Sequence, residues 1–214
     1  MIKPYFQDAW VTIYHGDCRE LLPQLPKVDL VLTDPPYNVG KDYGGYNDNN
    51  PVYAEFCQQW FELARNVAPL MLFTPGVVNF QDWIRRERAT WIASWQISNG
   101  VSRGGQVQFI TWEPILIYGK IKMKVTRDTY NIPIGFQKEG LSHPCPKPAR
   151  LWDLLVLDYS LPNEVILDPF LGSGTTCYCA KKLNRKSIGI EIEEKYCEMS
   201  AKRCSQSVMR LEDE

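Results

Sequence analysis

The sequence predicts an α/β fold: a single doubly wound, mostly parallel sheet with helices packed on it. Three observations carry that expectation. Short β-like runs alternate with amphipathic helical stretches along most of the chain. Two of the runs, residues 30–33 and 165–167, are apolar throughout or nearly so, as buried parallel strands are. Each leads within one residue into Asp-Pro, a strong turn signal at the end of a strand. A chain of 214 residues, 44% hydrophobic and 23% charged, suits one domain with a full core, here 1–214.

The elements follow in order. Residues 11–14 (Val-Thr-Ile-Tyr) and 30–33 (Leu-Val-Leu-Thr) are strands. Between residues 53 and 66, Phe56, Trp60, Phe61 and Leu63 or Ala64 recur at helical spacing. Residues 70–73 form a strand stopped by Pro75-Gly76, 80–88 a helix, 91–97 a strand with alternating large residues, and 115–118 an apolar strand. Residues 151–159 repeat apolar side chains on one helical face. A strand at 165–167, a glycine turn, a helix at 175–183, a strand at 187–190 and a helix at 194–205 close the chain. Two stretches break the alternation. Residues 38–50 are rich in Gly, Asn, Asp and Tyr, which is loop chemistry. Residues 119–142 are basic, with β-branched and aromatic residues, and hold a short hairpin or an extended insertion.

Composition removes several classes. No apolar run reaches the roughly 18 residues of a membrane span. Residues 1–8 lack the charged-then-apolar layout of a signal peptide, so the expected location is the cytoplasm. The seven cysteines are odd in number and never spaced C-x-x-C, which predicts reduced, mostly buried thiols. With only His15 and His143 besides, no metal site is expected. Net charge is −1, yet residues 101–150 carry eight basic side chains against three acidic ones. Local contact with a phosphate backbone needs such a stretch, although a solvated face looks the same.

The chemistry concentrates in the two Asp-Pro turns. In a parallel sheet ligands collect beyond the carboxyl ends of the strands, so both turns should face one crevice. After Asp168-Pro169-Phe170-Leu171, Gly172 and Gly174 permit a tight bend and Thr175 opens a helix. Glu191, 19 residues beyond Gly172 at the next strand end, is placed as a ribose-binding acid is. The third glycine of a dinucleotide fingerprint is missing, which favours one nucleoside without phosphates. The other turn, Asp34-Pro35-Pro36-Tyr37, sets a carboxylate, a rigid backbone carbonyl and an aromatic ring within four residues. A rigid turn beside a rim tyrosine would need no more. An exocyclic base amine, however, is a poor nucleophile whose lone pair is delocalised into the ring. Acceptors on its two hydrogens draw the nitrogen toward tetrahedral geometry and stabilise the charge that forms on attack. Tyr37 offers a stacking face for an extruded base.

These residues resemble the amino-group DNA methyltransferases, adenine-N6 and cytosine-N4, in the arrangement where the catalytic motif precedes the cofactor motif; the chain looks like a small phage- or bacterial-type member. Asp34-Pro35-Pro36-Tyr37 is similar to their catalytic motif and Asp168–Thr176 to their cofactor loop. His15-Gly16-Asp17-Cys18 resembles the stretch ahead of the catalytic strand, and His143-Pro144-Cys145-Pro146-Lys147-Pro148 the His-Pro-x-x-Lys-Pro segment. The resemblance implies a methyltransferase sheet and S-adenosylmethionine as cofactor. It implies transfer to a flipped base of double-stranded DNA: N6 of adenine, with cytosine N4 as the alternative and an inactive DNA-binding module behind both. Asp34, Pro35, Pro36 and Tyr37 are then catalytic. Asp17, Cys18, Asp34, Lys147, Asp168, Pro169, Phe170, Gly172, Ser173, Gly174, Thr175, Glu191 and Ile192 surround the cofactor, with a packing or phosphate role also open to Lys147. Trp112-Glu113-Pro114 looks like a family segment to which no chemistry is assigned.

Size is the departure. Target recognition has only about residues 119–142, with Lys120, Lys122, Lys124 and Arg127 as its DNA-binding cations. The site read is then short, or recognition is shared across a homodimer. Rival readings fare worse. Pro144-Cys145 suggests cytosine-C5 chemistry, which does not call for the first Asp-Pro turn. A dehydrogenase needs neither that turn nor Tyr37. RNA and protein-glutamine methyltransferases generally begin the motif with Asn and place the cofactor loop first.

Overall fold

The computed structural model describes residues 2–40, 48–102, 109–134 and 147–206. Residues 135–142 of the expected recognition insertion, and 143–146 of the His-Pro-x-x-Lys-Pro segment, lie outside them. The strands are β1 (Phe6–Gln7), β2 (Val11–His15), β3 (Leu30–Thr33), β4 (Leu70–Phe73), β5 (Trp91–Ser102), β6 (Phe109–Gly119), β7 (Thr129–Asn131), β8 (Val165–Asp168) and β9 (Lys186–Glu191). The helices are α1 (Cys18–Leu21), α2 (Tyr53–Val67), α3 (Phe80–Arg86), α4 (Ala149–Tyr159), α5 (Thr175–Lys182) and α6 (Glu194–Ser205).

One sheet holds all of these strands in the order β1-β2-β9-β8-β3-β4-β6-β5-β7. From β2 to β4 the neighbours are parallel, while β6 runs antiparallel between β4 and β5. Alternation along the strands sorts the helices. Leu30, Leu32, Leu70 and Leu72 face α4 and α5, packing on Leu151, Trp152, Leu155 and Ala180. Val31, Met71 and Phe73 face the other way, onto Phe56, Trp60, Phe61 and Ala64 of α2 and Trp83 of α3. Both faces are covered, which is why β3, β4 and β8 are apolar up to their carboxyl ends, where Thr33 and Asp168 stand. The thiols of Cys18, Cys57, Cys177, Cys179, Cys197 and Cys204 are free and buried.

Topology sets the site. From β8 the chain passes through α5 to β9 on one side; from β3 it passes through α2 to β4 on the other. The winding therefore reverses between β8 and β3, and a crevice opens at their carboxyl ends. The hairpin is longer than the periodicity predicts. Residues 98–102 and 109–114 also belong to β5 and β6, with a register shift between Gln96 and Val101. Asn99, Gly100 and Pro114 read as breakers in sequence, but a bulge absorbs the first two, and β5 pairs Ser94 opposite Pro114. Leu116 pairs with Phe73, the last residue of β4, so residues 109–115 overhang the carboxyl edge on the side of the Asp34–Tyr37 turn. In the stretch 119–134 the chain forms no hairpin among its described residues; β7 instead runs parallel beside β5.

Candidate active site

Asp34 follows β3 directly and Asp168 ends β8, and these strands are hydrogen-bonded neighbours. Both carboxylates line one cleft, as the crossover predicts. The cleft is also walled by Asp17, Cys18, Pro36, Lys147, Pro169, Phe170, Gly172, Ser173, Thr175, Glu191 and Ile192. Gly174 is not on its wall. That glycine adopts φ 78°, and a Cβ there would lie 3.0 Å from the Ser200 side chain, so its freedom serves close packing on α6.

The cofactor-loop side is built on buried hydrogen bonds. Asp168, 3% exposed, accepts through Oδ1 from the Thr33 hydroxyl at 2.6 Å and Phe170 N–H at 3.0 Å. Its Oδ2 accepts from the Thr176 hydroxyl at 2.5 Å, and Trp152 Nε1 donates in turn to that hydroxyl at 2.8 Å. Burial pushes the Asp168 carboxyl up to about 6, against the pull of these donors. Glu191 ties the turn to the next helix: Oε2 accepts from Gly172 N–H at 2.8 Å and Oε1 from Glu193 N–H at 2.9 Å. Burial raises its carboxyl as well, opposed by those two N–H groups. From α6, Ser200 Oγ donates to the Gly172 carbonyl at 2.7 Å, and Arg203 Nη1 reaches the Ser173 carbonyl and Thr175 Oγ1. Phe170 forms an apolar wall, held edge-on against Trp60. Across the cleft Asp17 caps α1, bound by the N–H and guanidinium of Arg19. Burial alone would raise the Asp17 carboxyl, but those donors hold it below the usual range.

The Asp34–Tyr37 turn is held differently. Asp34 Oδ1 accepts from the Tyr37 hydroxyl at 2.5 Å and from the Thr74 hydroxyl. Asp34 Oδ2 receives the Lys147 ammonium at 2.8 Å. Lys147 Nζ also lies 3.0 Å from Tyr37 Oη and 3.7 Å from Glu113 Oε2. Burial, with the Asp34 and Glu113 charges beside it, raises the Tyr37 phenol well above its ordinary value and keeps it a donor. Its ring packs against Gly76, where a Cβ would come within 2.8 Å of Cδ2 and Cε2. Two carbonyls of the turn are tied: Pro36 accepts from the Tyr53 hydroxyl at 2.8 Å and Tyr37 from Asn79 Nδ2 at 2.8 Å. No donor among the described residues reaches the Pro35 carbonyl, which leaves it available.

The four expected DNA-binding cations, Lys120, Lys122, Lys124 and Arg127, do not line this cleft. Lys122 pairs with Asp29 and Glu164, the residues just ahead of β3 and β8. Lys120 follows Gly119, which is paired with Leu70 at the start of β4, and Arg127 pairs with Asp158 near the end of α4. Lys120 and Lys122 thus lie at the opposite edge of the sheet, a strand length of roughly 13 Å from the carboxyl ends, and Arg127 lies on the outer flank, just ahead of β7. Sequence reading missed Thr33, Thr74, Tyr53, Asn79, Glu113, Ser200 and Arg203. For three of them a signal existed. Thr33 and Thr74 turn polar where an apolar strand run ends at the crevice, and Glu113 is a lone acid entering an apolar strand.

A cleft at the switch point of a doubly wound sheet, with an Asp-Pro-Pro-Tyr turn on one strand and a glycine turn on its neighbour, defines a base amino-methyltransferase. The family described as DNA methylase, of the N6/N4 group, matches residues 112–202. The Type II methyltransferase M.HinfI of Haemophilus influenzae is 29% identical, over 95% of this chain and 70% of its own length. YubD of Escherichia coli (strain K12) is 30% identical, over 85% of this chain and 84% of its own. Among solved structures, the M1.HpyAVI-SAM complex superposes with a TM-score of 0.69 at 26% identity, covering 92% of this chain and all of that one. The chain belongs to the N6/N4 amino-group DNA methyltransferases.

Proposed function

We propose that the protein transfers a methyl group from S-adenosylmethionine to N6 of adenine in double-stranded DNA, on a base turned out of the duplex. The observation that carries this reading is the shared cleft of Asp34 and the glycine turn. The cleft suits the cofactor. Its wall holds five carboxylates (Asp17, Asp34, Asp168, Glu191 and Glu193) against two cations, Arg19 and Lys147. Such a wall repels a pyrophosphate and favours a nucleoside bearing a sulfonium. When bound, S-adenosylmethionine supplies an electrophilic methyl group.

The chain's own residues do the rest. Glu191, whose oxygens each spend one lone pair on a backbone N–H, keeps others for ribose hydroxyls. Phe170 and Ile192 provide apolar walls of the cleft and Asp17 an acceptor. Asp34 and the Pro35 carbonyl accept the two amino hydrogens of the target and stabilise the positive charge developing on its nitrogen. A carboxylate is far too weak a base to deprotonate the neutral amine beforehand, so the proton leaves after transfer. An Asp at the head of the turn favours adenine. Mass spectrometry of nucleosides from DNA methylated by the purified protein should find N6-methyladenine; N4-methylcytosine in its place overturns the base assignment.

A further inference from the structure

We propose that Lys147 is a placeholder for the target base and that Glu113 is the positioning residue that takes over its ammonium when the base enters. The inference rests on the reading of Asp34 and Tyr37 as the base-binding pair.

Two independent contacts put Lys147 where a base belongs. Its ammonium donates to Asp34 Oδ2 at 2.8 Å, the acceptor that an amino hydrogen would use, since Oδ1 is already filled by Tyr37 and Thr74. It also donates to the Tyr37 hydroxyl oxygen at 3.0 Å, at the polar end of the ring. A protonated amine thus mimics the hydrogen-bonding edge of an extruded base. The arrangement keeps a half-buried carboxylate paired while no base is bound: the side chains of Asp34 and Lys147 are 26% and 12% exposed. An unpaired charge in that position is costly.

The same cation is harmful once reaction begins. Positive charge grows on the target nitrogen, and an ammonium retained on Asp34 would stand a few ångströms from it. Glu113 offers the alternative seat. It projects from the overhanging arm of β6, its Oε2 lies 3.7 Å from Lys147 Nζ, and its side chain is 15% exposed. That distance is an ion pair without a hydrogen bond, so a small swing of a flexible four-carbon stem converts it into one. Asp34 Oδ2 and the Tyr37 hydroxyl are then released together. The aliphatic neighbours of Glu113 in β6, Pro114 and Ile115, are buried and give the arm a firm base.

The test is a double-mutant cycle on the full chain with duplex DNA containing its mapped methylation site. Base extrusion is read from 2-aminopurine fluorescence at the target position and turnover from labelled methyl transfer. Glu113→Gln keeps the shape and removes the charge. It should lower the 2-aminopurine signal and reduce kcat about tenfold to a hundredfold, with the affinity for S-adenosylhomocysteine unchanged. In a Lys147→Met background the same substitution should have no further effect on either readout, because the ammonium it would receive is gone. Unaltered extrusion in Glu113→Gln, or an equal loss in both backgrounds, overturns the proposal. If Glu113→Gln does not bind S-adenosylhomocysteine, Glu113 is structural and the proposal also fails. Wild-type protein that methylates cytosine in the same assay counts against the adenine reading alone; the cycle is then run with a fluorescent cytosine analogue at that position.

Discussion

Asp34 and Asp168 carry the same sequence signal, an apolar strand running into Asp-Pro, and the fold sets them on neighbouring strands of one crevice. Their surroundings differ in kind. Asp168 is 3% exposed, and its donors are two threonine hydroxyls, anchored in β3 and α5, and the Phe170 N–H of its own turn, all neutral. Asp34 is more open and holds a cation on a flexible stem. A carboxylate fixed by neutral donors braces a turn, whereas one held by a movable charge can exchange partners. The glycine-turn side of the crevice is fixed by neutral donors; the Asp34 side holds an exchangeable cation.

Removing each carboxylate should therefore break different things. Asp34→Ala takes away the acceptor for the amino group and should lower methyl transfer by about a thousandfold or more. Cofactor affinity, measured by calorimetry, should stay within a few-fold, because Glu191, Phe170 and the glycine turn remain. Normal turnover in this variant would remove Asp34 from the mechanism and collapse the contrast.

Asp168→Ala should act on the fold first. It strands the hydroxyls of Thr33 and Thr176 and the Phe170 N–H, a loss of about 3 kcal/mol in unfolding free energy. The pH dependence sharpens the point. A carboxyl whose folded value, about 6, stands above its ordinary 3.8 binds its proton more tightly in the native state. Its contribution to stability is full below the unfolded value and is lost as pH rises through about 6. Denaturant titrations between pH 4 and 7 should show this fall in the wild type and a flatter profile in Asp168→Asn, the difference not exceeding about 3 kcal/mol. Identical profiles would mean that the Asp168 carboxyl is not raised by its burial.

Much of this was legible in the residues. The central strands announced themselves because burial on both faces leaves polar residues only at their ends, and the two turns because Pro and Gly punctuate sharply. Helix α6 ends where its periodicity does. Other features were hidden for physical reasons. The overhanging arm of the hairpin packs on the domain through few residues, such as Trp112 against Phe80, so it shows neither clean alternation nor a continuous apolar run. Lys147 sits one residue before Pro148, in a segment whose spacing places it near the cleft without saying on which side. Only the fold brings it to Asp34 across 113 residues. The brace from Ser200 and Arg203 was invisible for the same reason: a Ser and an Arg on an amphipathic helix read as ordinary surface, and both are buried against the glycine turn.

The smallest expected effect concerns the basic stretch, and it bears on which edge of the sheet meets DNA. Charge counting marks Lys120, Lys122, Lys124 and Arg127, but Lys122 and Arg127 spend their charge on Asp29, Glu164 and Asp158 at the edge away from Asp34. A duplex delivering a base to Asp34 lies across the carboxyl ends. Lys122→Ala and Arg127→Ala should then change KM for DNA less than about twofold and leave the salt dependence of binding unaltered, since no phosphate contact is lost. Their cost should be confined to stability and stay below about 1 kcal/mol, the ordinary worth of exposed ion pairs. A reduction of the salt slope by about one for either variant would place DNA on that far edge as well. The duplex would then have to wrap the sheet from one end to the other, and the division between a scaffold edge and a reacting edge would no longer hold.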